Sequence, residues 1–181
     1  MTGPTGGIGP TGMGVTGPNG LTGPTGGSPA GIGPTGPVAQ LDAARIVSST
    51  TQSIILNTPA QVVLGTVDFD ANNNLTGTTN QLTIQTSGYY SLIGSVMFDY
   101  NPNGTRRVYF MINDVMKAIV SEPPTNDGGS LCGIQTTHFT YLAAGTVVEL
   151  WADQNGTASL NISSLSGTSG YEAALCVSRI R

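Results

Sequence analysis

Glycine recurs at every third position near the start of the chain, and this period constrains the fold more than any other feature. One run of triplets has glycines at 3, 6, 9 and 12, and a second has them at 14, 17, 20, 23 and 26. Such a period is typical of a collagen triple helix, because three polyproline-II chains share an axis where only a hydrogen atom fits. Residues 1–38 are therefore predicted to form a collagen-like stalk, which requires three chains.

The glycine period slips at residues 12–14, 26–31 and 31–33, and each slip is expected to loosen the triple helix locally. The first 38 residues also contain no charged side chain that could fix the stagger between chains. The remainder of the chain must therefore bring three chains into register. This makes a homotrimer the expected state.

Beyond the stalk, apolar and polar residues alternate with period two, and turn sequences such as "NPNG", "EPPTNDGG" and "QNG" separate the runs. We predict a linker at 39–44 and an all-β jelly-roll sandwich of about ten strands at 45–181. The predicted strands, in order, are 45–49, 53–56, 62–69, 81–86, 89–100, 106–113, 115–121, 133–142, 147–153, 158–165 and 171–180.

Two predicted strands are apolar on both faces, which indicates that both faces are covered. In "VVELWA" at 147–152, one face carries Val148, Leu150 and Ala152, while the other carries Val147, Glu149 and Trp151. A neighbouring subunit is the predicted cover. The candidate trimer-interface residues are Val147, Glu149, Trp151, Phe139 and Tyr141.

The stretches "SGYYSLIGSVMF", "VYFMIND", "FTYLAAGTVVELWADQNG" and "SGYEAALCVSRI" resemble successive strands of the complement q-subcomponent globular heads. The resemblance covers about residues 45–181. It implies a ten-stranded jelly roll of the tumour-necrosis-factor type that assembles as a compact trimer. Thr146 stands where that family has an aspartate, and the resemblance implies no particular ligand.

The "GPT" triplets resemble the collagen-like glycoproteins of the bacterial spore surface, whose stalks end in heads of this class. This resemblance implies an extracellular location in the exosporium nap and O-glycosylation of repeat threonines. The matching positions are Thr5, Thr11, Thr25 and Thr35, with Thr16 and Thr22 as weaker candidates. The anchoring segment of that family has no match, and the chain begins inside the repeat, so we expect a piece of a longer protein.

No catalytic constellation, cofactor motif or metal-ligand spacing was found in the sequence, and we expect no enzyme activity. His138 is interpreted as a structural histidine. Asp68 and Asp70 are interpreted as a solvated strand edge, with calcium binding as an alternative. Cys132 and Cys176 leave two alternatives open, buried free thiols or a disulfide.

The net charge of −4 and the six lysines and arginines exclude a basic surface for nucleic acid. No apolar run approaches the roughly 20 residues of a membrane helix. Three functions remain. The first is a structural surface fibre, and the second is the receptor-binding tip of a phage tail fibre or adhesin, with ligand contacts from loops 101–104 and 122–129. A hydrolase of surface sugars is the weakest of the three.

Overall fold

The computed structural model describes residues 3, 7, 42–71, 80–123, 131–162 and 172–180. The chain divides between Val38 and Ala39, next to the predicted end of the stalk. The predicted triple helix, the threonines Thr5, Thr11, Thr16, Thr22, Thr25 and Thr35, and residues 124–130 lie outside the described residues.

The described part of the head is all-β and folds as two antiparallel sheets, which confirms the predicted sandwich. The strands are β1 (Ala43–Ser48), β2 (Gln52–Ile54), β3 (Ala60–Gln61), β4 (Gly65–Asp70), β5 (Gln81–Thr83), β6 (Gly88–Phe98), β7 (Arg106–Ile112), β8 (Val115–Glu122), β9 (Cys132–Leu142), β10 (Val147–Gln154), β11 (Leu160–Ile162) and β12 (Ala174–Ile180). No described residue is helical, and no helix is long and apolar enough to cross a membrane among the residues described.

The larger sheet has the order β2-β11-β6-β12-β1-β4, with β9 paired along the other side of β6. The smaller sheet has the order β3-β10-β7-β8, with β5 also paired to β10. The two longest strands, β6 and β9, run beside each other over eleven residue pairs. This pairing places the outward-facing residues of both strands on one continuous surface.

The core lies between the two sheets, and it follows directly from the period-two pattern. Alternate residues of β7 and β10 are fully buried, including Phe110 and Leu150. Gly94 of β6 faces them, and a methyl group there would overlap Leu150 and approach Phe110 Cε1 to 3.0 Å. A glycine is therefore required at this position for the sheets to approach.

Most predicted strand ends differ from the structure by one to three residues, and two of these differences affect how the head begins and how its chain turns. β1 begins at Ala43, so the last two residues of the predicted linker belong to the head. The first three residues of the predicted strand 62–69 form the connection between β3 and β4, and β4 begins at Gly65, whose positive φ of 77° turns the chain. Val62 and Leu64 remain buried in the core between these two strands.

A buried tyrosine holds the first described residue of the head. The Tyr90 hydroxyl donates toward the Thr86 carbonyl oxygen at 2.6 Å and the Asp42 carboxylate at 3.0 Å. Burial and the hydrogen bond to Asp42 raise the pKa of Tyr90 to about 12. The Arg179 backbone N–H also donates to the Asp42 carbonyl oxygen at 2.9 Å. The chain is thus fixed to β6 and β12 where it enters the sandwich.

Candidate subunit interface

Large apolar side chains stand exposed on the outward face of the larger sheet. We give the name apolar face to the set on β6, β9 and β12, which comprises Tyr89, Ile93, Phe139, Tyr141 and Ile180, while Val67 and Phe69 are exposed on the edge strand β4. Phe139 is 68% exposed and Tyr89 is 65% exposed. Exposed apolar side chains clustered in this way make the surface a candidate for protein association.

The register of the sheet explains why these residues meet. Tyr89 lies opposite Tyr141 on β9 and opposite Ile180 on β12. The rings of Tyr89 and Tyr141 pack edge to face, with centroids 5.5 Å apart and planes at 75°. Phe139 lies two residues before Tyr141 on β9, so its side chain points to the same side of the sheet. The cluster therefore gathers three strands at one end of the sheet.

The five predicted interface residues divide between the two sheets. Phe139 and Tyr141 lie on the apolar face, while Val147, Glu149 and Trp151 lie on the outward face of the smaller sheet. The latter three are half-buried. The period-two pattern of a strand does not show whether these three residues share a surface with Phe139.

Glu149 and Trp151 obtain part of their cover from their own chain. The Trp151 indole N–H donates to Glu149 Oε2 at 2.8 Å, and the Gln61 amide donates to Glu149 Oε1 at 3.0 Å. Trp151 also lies opposite the buried Tyr109 of β7. A second subunit is therefore not required to explain why this face of β10 carries Trp151.

The strand β8 carries a second exposed apolar patch at the edge of the smaller sheet. We call this set the β8 edge, and it comprises Val115, Met116, Ile119 and Leu131, the last just before β9. Their exposed fractions range from 37% for Leu131 to 52% for Val115. Sequence reasoning missed this patch, although apolar residues on both faces of a short strand were a visible signal.

Tyr89, Ile93 and Ile180 were also missed at the level of sequence. The pair Tyr89-Tyr90 was the available signal, because adjacent strand residues point to opposite faces and one tyrosine must leave the core. The structure buries Tyr90 completely and exposes Tyr89. The period-two pattern alone does not show which of these two tyrosines points inward.

A cluster of charged side chains lies on the larger sheet beside the apolar face. The Arg45 guanidinium donates to Asp68, and its other nitrogen lies 3.3 Å from Glu172 Oε1. The hydrogen bond to Asp68 raises the pKa of Arg45. Burial raises the pKa of the adjacent Cys176 thiol, and Arg45 offsets part of that rise. Asp68 lies on the edge strand β4 with its side chain 46% exposed, which agrees with the interpretation of a solvated strand edge, and it also forms an ion pair with Arg45.

Both cysteines are free thiols, so the disulfide alternative is corrected. Cys132 lies opposite Phe98 of β6, whereas Cys176 lies opposite Ile93 on the other side of that strand. Five residues of extended chain correspond to about 16 Å. A disulfide requires Cα atoms within about 7 Å of each other.

The remaining predicted site residues do not assemble into a chemical site. His138 is half-buried within β9, opposite Leu92. Among the residues described, no group of three or more histidine, cysteine, aspartate or glutamate side chains could hold a metal ion. Of the predicted ligand loops, 101–104 is described and 124–129 lies outside the described residues.

Loop 101–104 is held in place by internal hydrogen bonds. The Asn103 backbone N–H donates to Asn101 Oδ1 at 2.9 Å, and Gly104 adopts a positive φ of 75°. The buried Arg106 guanidinium donates to the carbonyl oxygens of Asn101 and Gly104. The loop therefore presents a defined surface.

No known sequence family and no curated protein sequence matches the chain. Many solved structures resemble it in fold. Murine APRIL at pH 5.0 has a TM-score of 0.58 at 12% identity, with 77% of this chain and 99% of that chain covered. Eiger TNF from S. frugiperda has a TM-score of 0.54 at 9% identity, with 78% of this chain and 94% of that chain covered. The globular domain of zebrafish complement 1qA has a TM-score of 0.54 at 13% identity, with 77% of this chain and 98% of that chain covered. The head therefore has the jelly-roll fold of tumour-necrosis-factor and complement 1q globular domains.

Proposed function

We propose that this chain is a structural surface fibre protein, in which a collagen-like stalk carries a globular head that assembles three chains. The observation that carries the proposal is the pair of unlike apolar patches on the head, the apolar face and the β8 edge. The glycine period of the stalk supplies the number of chains.

Two unlike patches favour a ring of subunits over a two-fold dimer. A two-fold contact pairs a patch with itself, so a dimer through the apolar face leaves the β8 edge exposed. A head-to-tail contact instead places the β8 edge of one protomer on the apolar face of the next, and covers both patches in every protomer. Such contacts form a ring when the rotation between neighbours closes, and closure after three protomers matches the stalk.

The point where the chain enters the head supports the same arrangement. Ala43 at the start of β1 lies opposite Ser178 of β12, two residues from Ile180 of the apolar face. Three chains of a triple helix must begin their heads close together. A ring with the larger sheets turned toward its axis brings these three starting points together.

The proposed setting is the outside of a bacterial spore or one of its appendages. The support is the resemblance of the "GPT" repeats to spore-surface collagen-like glycoproteins, together with the uncharged, threonine-rich stalk. In this setting the stalk acts as a spacer that displays sugar on Thr5, Thr11, Thr25 and Thr35. The second candidate is a receptor-binding tip, for which the ordered loop 101–104 is the supporting observation.

The oligomeric state of the head tests the assembly. Residues 39–181 are expected to sediment as a trimer at micromolar concentration, because the head carries both contact patches. Phe139→Asp is expected to give folded monomers, since it places a charge on the apolar face. Ile55→Asp is the matched control, because Ile55 is 60% exposed and belongs to neither patch. A wild-type head that sediments as a monomer would contradict the proposal.

The glycosylation and the location of the protein in its native host test the proposed spore-surface setting. Mass spectrometry of the protein from its native host is expected to find hexose or deoxyhexose on the repeat threonines, and immunogold labelling is expected to mark the spore surface. Labelling of virion tails instead would favour the receptor-binding tip. Unmodified threonines would contradict the assignment of glycan display to the stalk.

A further inference from the structure

Lys117 is the only lysine of the sequence, and it stands on the β8 edge. Its neighbours Met116 and Ile119 are exposed apolar residues, 49% and 47% accessible. Lys117 itself is exposed, and it takes part in none of the ion pairs between described residues. A contact that covers the β8 edge must therefore accommodate a positive charge.

The larger sheet offers an excess of negative charge in its exposed part. Arg45 is shared between the carboxylates of Asp68 and Glu172, which leaves one negative charge uncompensated. The Asp68 and Glu172 side chains are 46% and 27% exposed. If a second protomer covers this group, the excess carboxylate loses its hydration, and a facing cation offsets that cost.

The position of Lys117 along the strands is fixed by a contact between β8 and β9. The Thr136 hydroxyl donates to the carbonyl oxygen of Ala118, the residue after Lys117. Thr136 lies opposite Gly94 of β6. Lys117 therefore stands within about one residue of the level of Gly94 on the larger sheet.

The Arg45 group stands at almost the same level. Ile93, the residue before Gly94, lies opposite Cys176, and Cys176 lies opposite Arg45. The two groups thus differ in height by about one or two residues, or roughly 3–7 Å. Rotation about an axis along the strands does not change the position of a residue along that axis. A ring contact therefore brings Lys117 of one protomer to nearly the same level as the Arg45 group of the next.

We infer that Lys117 of one protomer forms an ion pair with the Asp68 and Glu172 carboxylates of the neighbouring protomer. The inference rests on the proposed trimer and adds the charged contact that fixes its register. Apolar contacts alone are non-directional, and this pair sets how far the β8 edge slides along the larger sheet.

Carbodiimide cross-linking of the full-length protein tests the contact, because this reagent joins an amine directly to a carboxylate. Chains labelled with ¹⁴N and ¹⁵N are refolded together, cross-linked and digested. We expect peptides that join Lys117 to Asp68 or Glu172 with unlike isotopes in the two halves. Lys117→Arg, which keeps the charge and removes the amine, is expected to lose these peptides and remain trimeric.

Cross-links of Lys117 confined to carboxylates of its own chain would overturn the inference. A wild-type trimer that yields no Lys117 cross-link would also overturn it, while leaving the proposed trimer intact. A protein that sediments as monomers contradicts the proposed function itself, so the two failures are distinguishable.

The strength of the pair is measured with Lys117→Gln, which keeps much of the side-chain length without the charge. We expect the trimer of this variant to dissociate at roughly tenfold higher protomer concentration than the Lys117→Arg trimer, with less dependence on salt. Unchanged trimer stability, with new aggregates formed through the strand edge, would assign Lys117 to edge protection and contradict the pair.

Discussion

At the scale of single residues, the buried contact between Tyr90 and Asp42 couples the stability of the head to alkaline pH. The pKa of Tyr90 is about 12 in the folded chain, whereas an unperturbed tyrosine has about 10. The fold therefore favours the neutral phenol. This contribution is complete below about pH 10 and is lost as the pH rises toward 12.

Tyr90→Phe is expected to flatten the fall in the free energy of unfolding between pH 10 and 12. At neutral pH the variant is less stable by about 1–2 kcal/mol, because buried acceptors lose their donor. Urea denaturation at fixed protomer concentration measures both effects. Tyr100→Phe is the control, because it removes a tyrosine hydroxyl and retains Tyr90. An equally steep alkaline loss in Tyr90→Phe would contradict the assignment.

Single residues also mark the limit of what the sequence could predict. Phe139 and Tyr141 were predicted as interface residues and lie together on an exposed surface. Trp151 was placed with them because its strand is apolar on both faces, yet its cover includes Glu149 and Gln61 of its own chain. Hydrogen bonds between distant strands leave no periodic signal in the sequence.

At the scale of elements, β8 departs from regular strand geometry. Ala118 has a positive φ of 48° where the register between β7 and β8 shifts. A non-glycine residue in this conformation costs about 1–2 kcal/mol, which makes the position a strained bulge. The bulge lies within the β8 edge, between Lys117 and Ile119.

Ala118→Gly is expected to raise the free energy of unfolding by about 0.5–1 kcal/mol, because glycine adopts this conformation without strain. Ala152→Gly is the matched control within the same sheet. It is buried in regular β10, and its loss of packing and added chain entropy should destabilise the head. Denaturant titrations at equal protomer concentration compare the two, and a similar loss in both variants would contradict the strain at Ala118.

Most strands were predictable because period two and turn residues are local signals. The predicted strand 62–69 was wrong at its start, because β4 begins only at Gly65 and the sequence does not show that this glycine has a positive φ. The sheet order was implied only by the resemblance to known heads. It depends on pairs such as Ile93 with Cys176, which lie far apart in the sequence.

At the scale of the whole molecule, two units of different chemistry should respond differently to heat. The predicted triple helix has short, uncharged triplet runs, whereas the head has a continuous buried core. We expect circular dichroism to show loss of the polyproline-II signal at low temperature while the β-signal persists. Residues 39–181 alone should lack the first transition. A single transition of the full chain at high temperature would contradict this prediction.

The glycine period is a local steric constraint, so a prediction of three chains can be made from sequence. The surface of the head that contacts its neighbours in the proposed trimer could not be predicted in this way. That surface exists only after β6 has paired with β9 on one side and β12 on the other.

The position of β1 has a consequence for how the head withstands tension. β1 starts at Ala43, just after the point where the stalk joins the head, and it is hydrogen-bonded to both β4 and β12. A pull along β1 loads both ladders in shear, so many hydrogen bonds resist together instead of opening one after another. In the proposed surface fibre, a head built this way resists drag from flowing liquid or a passing surface, and the rate of forced unfolding, rather than equilibrium stability, sets its mechanical lifetime.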